Sequence, residues 1–131
     1  MTLYLGVEDI IGIHYEMMRR LGVNPQPLAR PENLTSALER PKWAAQFEGA
    51  DLASQAARLA LGISRAQGFV DGNKRTAQRA LVIFLYLNGF QVTGDHVDLA
   101  HMLERLVEPV TDDHDADAEL EDWLRDRIVP R

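Results

Sequence analysis

The sequence predicts an all-α bundle, and three observations carry that expectation. Apolar residues recur at spacings of three and four over most of the chain; proline and glycine punctuate the stretches between; and the longest apolar run, Leu81 to Leu87, has the flanks of a helix.

In chain order, Val7, Ile10, Ile11, His14, Met17, Met18 and Leu21 form one stripe, so a first amphipathic helix is expected from about Gly6 to Leu21, with Gly22 as its stop. Pro25, Pro27 and Pro31 make the next stretch a loop, because proline fixes φ and removes a donor. A short helical turn is expected over Leu34 to Glu39, and the pattern is poor through Trp43 and Phe47. Leu52, Ala56, Leu59, Ala60 and Ile63 mark a helix from Ala50 to Arg65, broken by Gly68. The run LVIFLYL is apolar all round and by periodicity alone fits a buried strand as well. TAQRA before it and Asn88-Gly89 after it decide for a helix from Lys74 to Asn88, with glycine in the left-handed cap position. A helix apolar on every side belongs at the centre of a bundle. Phe90 to Thr93 reads as an extended link, and Asp95 as the N-cap of a helix to about Val107 that Pro109 ends. Ala116 to Ile128 completes the set, with Leu120, Trp123, Leu124 and Ile128 inward. With no repeat, low-complexity tract or linker, residues 1–131 are expected to form a single domain.

Composition narrows the function classes. The chain has no cysteine, hence no disulfide framework or thiolate metal site, which fits a reducing cytoplasm. The N-terminus lacks a basic region and a cleavage site, and Leu81 to Leu87 is too short to cross a bilayer, so a soluble chain with no membrane partner is expected. The formal charge of −6 is local: Asp112, Asp113, Asp115, Asp117, Glu119, Glu121 and Asp122 follow one another with no lysine or arginine between them, and elsewhere charges nearly balance. Binding to nucleic acid needs a net basic face, so no direct nucleic-acid partner is expected. The acidic run reads as a solvated loop and helix start, with a docking surface for a basic partner as the alternative.

The densest cluster of functional residues is DGNKRT, Asp71 to Thr76, immediately before the apolar helix. If that helix begins near Asn73 or Lys74, its first N–H groups lack partners and its dipole favours negative charge, which makes an anion site. Gly72 lets the backbone approach a phosphate, Lys74 and Arg75 supply full charges, and Asn73 can orient the loop or a phosphate oxygen. Asp71 could hold a magnesium ion, which needs only one or two carboxylates beside phosphate oxygens. The same six residues also suit an ordinary helix entry, with Asp71 or Asn73 as N-cap and the two cations merely solvated. They are not a phosphate loop of the Walker type: a glycine is needed at position 67, which is Gln67.

GFVDGNKRTA followed by an apolar helix ending in LNG, and preceded by LTSALERP and DLASQAARLALGISR, resembles the Fic/Doc superfamily, and within it the death-on-curing branch. The likeness spans roughly Val7 to Val107. Lys74 carries the branch assignment, since the protein-AMPylating members usually have glycine there and an arginine at the position of Gln78; Arg79 is one residue, about 100° of helix, out of register. The resemblance implies an all-α domain that grips ATP with magnesium and phosphorylates a hydroxyl of a translation factor, elongation factor Tu, until an antitoxin protein binds. It implies that Asp71 helps to position magnesium, that Gly72, Asn73, Lys74 and Arg75 hold phosphates, and that Phe69 anchors the loop.

The family's motif histidine, the base that deprotonates the attacking hydroxyl, is replaced here by Gln67, with Gly68 next. Glutamine accepts no proton at a useful pH, and loss of a general base typically costs about 10²- to 10⁴-fold in rate. Three readings follow: a toxin variant that binds nucleotide and antitoxin but transfers slowly or not at all; a transferase in which Gln67 only orients the acceptor; and a non-catalytic interaction protein. His14 reads as a packed core histidine, His96 and His101 as solvent-side, and no histidine pair has metal-ligand spacing. Trp43 and Phe47 read as core, with a flap over substrate as the alternative.

Overall fold

The computed structural model describes residues 1–25, 27–107 and 113–131. Among the described residues six helices run in order: α1 (Val7–Arg20), α2 (Pro31–Glu48), α3 (Leu52–Ala66), α4 (Asn73–Leu87), α5 (His96–Leu106) and α6 (Asp113–Arg125). Two short strands, β1 (Phe90–Val92) and β2 (Ile128–Pro130), pair antiparallel with Phe90 opposite Pro130 and Val92 opposite Ile128. The all-α expectation holds. Pro109 and Asp112 lie outside the described residues, as do the side chains of Asp113 and His114.

Local signals place the ends of several helices where expected. Asp95 caps α5 by accepting from Val97 N, and Gly89 sits at φ 93° just beyond α4. Asp51 caps α3 in the same way, accepting from Ser54 N at 2.9 Å.

Three segments differ from expectation. The weakly patterned stretch around Trp43 is part of one 18-residue helix, α2, which runs through Pro41. Proline inside a helix costs about 3 kcal/mol. Leu34, Ala37, Leu38 and Ala44 offset this by burying one face against α3, between Pro31 in the first turn and the left-handed Gly49 at the end. The last helix stops at Arg125, and Ile128 pairs with Val92 as a strand instead of packing as helix. The most enclosed helix is α3, where all but Leu52, Arg58 and Arg65 are buried, whereas α4 leaves Tyr86 and Leu87 exposed. Alanines at 53, 56, 57 and 60 let α2, α4 and α6 pack closely around α3.

The acidic run is not simply solvated. Asp117 is 7% exposed and its Oδ2 pairs with Arg40 Nη2 at 3.0 Å. Glu121 accepts from Ser54 Oγ at 2.6 Å, Arg125 reaches Asp51 at 3.2 Å, and Arg105 pairs with Glu119. These contacts fasten α6 to α2, α3 and α5. Burial pushes the Asp117 carboxyl above its ordinary pKa, with Arg40 and Arg58 pulling the other way.

Candidate functional site at the start of α4

The segment between α3 and α4 is held by its own side chains. Gln67 ends α3 at φ 51°, a left-handed conformation that residues other than glycine and asparagine seldom adopt. The helix therefore breaks at Gln67, one residue before the expected Gly68. Gly68 serves packing: its carbonyl accepts from Ala29 N at 2.6 Å, and a Cβ there would meet Leu34 Cβ at 3.3 Å. Phe69, 2% exposed, is the buried anchor, and both polar ends of the Asn73 carboxamide close on its backbone. Asn73 Oδ1 accepts from Phe69 N at 3.0 Å, and Asn73 Nδ2 donates to Phe69 O at 2.8 Å.

Beneath the loop lies α1. The His14 ring stacks flat on Phe69, with centroids 3.8 Å apart and planes 5° off parallel, and its Nε2 donates to the Asp71 carbonyl at 3.0 Å. Gly72 follows at φ 82°, where a Cβ would stand 3.0 Å from Met17 Cε and 3.2 Å from Met18 Sδ. The turn therefore calls for glycine, while the α1 contacts are with the flexible ends of two methionines. The Asp71 carboxylate accepts from Gly72 N through Oδ1 at 2.7 Å.

With Gly72 as N-cap, the N–H groups of Asn73, Lys74 and Arg75 have no acceptor within α4. The Lys74 and Arg75 side chains are exposed, and among the described residues neither makes an ion pair. Two open grooves meet at Arg75, Gln78 and His96. One, of about 450 Å³, lies between α1 and α4, with Met17, Leu21, Val82 and Ile83 along it and Arg20 and Arg79 at its side. The other, of about 540 Å³, lies between α4 and α5 and is lined by Lys74, Val97, Ala100, His101 and Glu104. Gln78 Nε2 donates to His96 O at 2.9 Å.

Asp71, Gly72, Lys74 and Arg75 therefore come together at the start of α4, while Phe69 and Asn73 turn inward and shape the loop. Of the two roles open to Asn73, its amide is occupied with the loop. Gln67 is exposed, and its Nε2 donates back to Ser64 O at 3.2 Å in the last turn of α3. One carboxylate beside free helix N–H groups suits magnesium held mainly by phosphate oxygens. No cluster of three or more acids and histidines among the described residues could cage a metal ion.

Four further residues read in the sequence take these places. His14 is a packed histidine bonded to backbone, as expected, but the backbone is that of the loop itself. Arg79 borders the same groove as Arg75, and the signal available for it was the spacing of four. Trp43 and Phe47 are not core, being 60% and 74% exposed. Asn33 at the start of α2 reaches Ala66 O near the loop, and Trp43 stands roughly 15 Å further along the helix.

Comparison with known proteins shows the family to which these residues belong. A family model described as Fic/DOC family matches residues 4–85, from before α1 to near the end of α4. A protein of Mycolicibacterium smegmatis named Toxin Doc is 37% identical over 89 residues, which cover 65% of this chain and 66% of that protein. With the loop, its α1 support and the cationic start of α4 all inside the matched residues, the chain belongs to the Fic/Doc family.

Proposed function

We propose that the chain is a Doc-like toxin that binds ATP with magnesium at the start of α4 and transfers its γ-phosphoryl group slowly to a protein hydroxyl. The observation that carries this reading is the pairing of an open, cationic helix start, formed by Lys74 and Arg75, with a Gln67 amide turned back to Ser64 O. The first supports triphosphate binding, and the second leaves the site without a proton acceptor at the motif position. Phosphoryl transfer relies mainly on positioning and charge stabilisation, so binding and a slow reaction are compatible. The acceptor oxygen forms its bond to the γ-phosphorus as the β–γ bridge breaks, ADP leaves, and the hydroxyl proton goes to water or a phosphate oxygen. Arg75 can grip two phosphate oxygens through its planar fork, and Lys74 adds a point charge. Magnesium would be held by Asp71 and phosphate oxygens, and would supply charge neutralisation.

Phosphorylation is favoured over nucleotide transfer because Lys74 stands where AMP-transferring relatives usually have glycine, and Gln78 bonds His96 O where they have an arginine. The implied acceptor is a translation factor, elongation factor Tu, and the implied partner is an antitoxin protein, acting in the cytoplasm. The groove between α1 and α4, apolar along Leu21, Val82 and Ile83 and bordered by Arg20 and Arg79, suits an antitoxin segment of acidic and apolar character.

Expression of the native chain and of Gln67→His without any antitoxin tests this reading. Arrest of growth by the histidine variant alone, with calorimetric ATP–magnesium binding by both proteins and by neither once Lys74 and Arg75 are alanine, is the expected result. Equal arrest by the native chain would show that Gln67 does not impair transfer. No ATP binding by the native chain would leave a non-catalytic interaction protein.

A further inference from the structure

We infer that His14, far from the motif in sequence, is the positioning residue of this site: it holds the loop in the form that leaves the first N–H groups of α4 open. The inference rests on the reading of the α4 start as a triphosphate site, and four observations support it. His14 is 2% exposed, so its ring is wholly committed to the protein. Its Nε2 lies 3.0 Å from the Asp71 carbonyl, and a carbonyl only accepts, so this nitrogen carries the proton. Its ring lies flat on Phe69, the residue whose backbone Asn73 clamps. Its Cδ2 is 3.6 Å from the place a Cβ would occupy on Gly72, the left-handed residue that starts α4.

His14 thus contacts the loop at Phe69 and Asp71 and lies beside Gly72, and among the described residues it is the α1 side chain that bonds the loop backbone. Asn73 closes the loop around Phe69, but nothing in that clamp fixes the direction of the Asp71–Gly72 peptide. The His14 bond does: it draws the Asp71 carbonyl toward α1, and a peptide whose C=O points one way points its N–H the other. The Gly72 N–H that leaves in that direction meets the Asp71 carboxylate at 2.7 Å, beside the side chain expected to face magnesium. If packing alone were required, an apolar ring would fill the space without the penalty of burying an imidazole. The N–H donor is what an apolar ring lacks.

His14→Phe keeps a ring against Phe69 and removes the donor, whereas His14→Gln keeps an N–H at the matching reach and removes the ring. Amide hydrogen exchange of residues 69–75 without ligand, calorimetric binding of ATP with magnesium, and the thermal midpoint are measured on the full chain for native protein and both variants. The expected result for His14→Phe is roughly tenfold faster exchange at Gly72 to Arg75 with α3 unchanged, and about five- to tenfold weaker binding, the size of one lost hydrogen bond. His14→Gln is expected to recover most of both. Native-like exchange and binding in His14→Phe would overturn the inference, as would equal losses in both variants in proportion to their thermal midpoints. If the native chain binds no ATP while the exchange contrast stands, the nucleotide reading fails and the positioning of the loop by His14 survives.

Discussion

Asn73 and Phe69 form a reciprocal pair: the amide oxygen of Asn73 takes the Phe69 N–H at 3.0 Å, and its amide nitrogen reaches the Phe69 carbonyl at 2.8 Å. Both backbone groups belong to a residue that is 2% exposed, so water does not readily replace the amide. Asn73→Ala leaves a buried donor and acceptor unpaired, which costs roughly 2 to 4 kcal/mol. A fall of about 10 °C in the thermal midpoint is expected. A change of only a degree or two would show that the loop is closed by something else.

Gly72 combines φ 82° with contact against α1. The ends of Met17 and Met18 are flexible and can yield, so the backbone conformation dominates. Gly72→Ala is expected to lose about 1 to 2 kcal/mol, the cost of placing an L side chain in the left-handed region. Chemical denaturation reads this directly, and an unchanged midpoint would contradict it.

Gln67 is the converse case, a non-glycine residue at φ 51° whose side chain bonds Ser64 O at 3.2 Å. Gln67→Gly relieves the left-handed strain and gives up a weak exposed hydrogen bond. A gain of up to about 1 kcal/mol in unfolding free energy is expected. Gln67→His keeps a side chain there, so its effect on growth should appear without that gain. A Gln67→Gly variant less stable than the native chain would mean that the Ser64 contact outweighs the strain.

Asp117 sets a pH dependence. Burial raises its pKa in the folded chain above the unfolded value of 3.8, so the folded state prefers the protonated form. That contribution is fully present below the unfolded pKa and is lost as pH rises through the folded pKa. Asp117→Asn removes the titration. The stability of the variant relative to the native chain should therefore be more favourable at pH 7 than at pH 3.5. A flat difference across that range, measured by thermal unfolding, would contradict the burial argument.

Much of the fold is local in origin and was readable as such. The stripe of α1, the Asp95 cap and the Gly89 end of α4 each depend on residues within a turn or two of one another. Tertiary packing decided the rest. The path of α2 through Pro41 depends on burial against α3, and the end of α6 on the pairing of Ile128 with Val92, 36 positions away in sequence. Asp117 left the solvated run because Arg40, on another helix, met it.

The candidate site divides in the same way. By itself the sequence determined that an open helix start would carry Asp71, Gly72, Lys74 and Arg75 together, because consecutive residues at a helix N-terminus have little freedom to be elsewhere. Only the tertiary structure decided that Asn73 turns inward to Phe69, that Gln67 folds back on α3, and that His14 supports the loop from α1. Each of these depends on where a side chain's hydrogen-bonding partner lies after the helices have packed, and the contact of His14 with Asp71 joins residues that chain order leaves 57 positions apart.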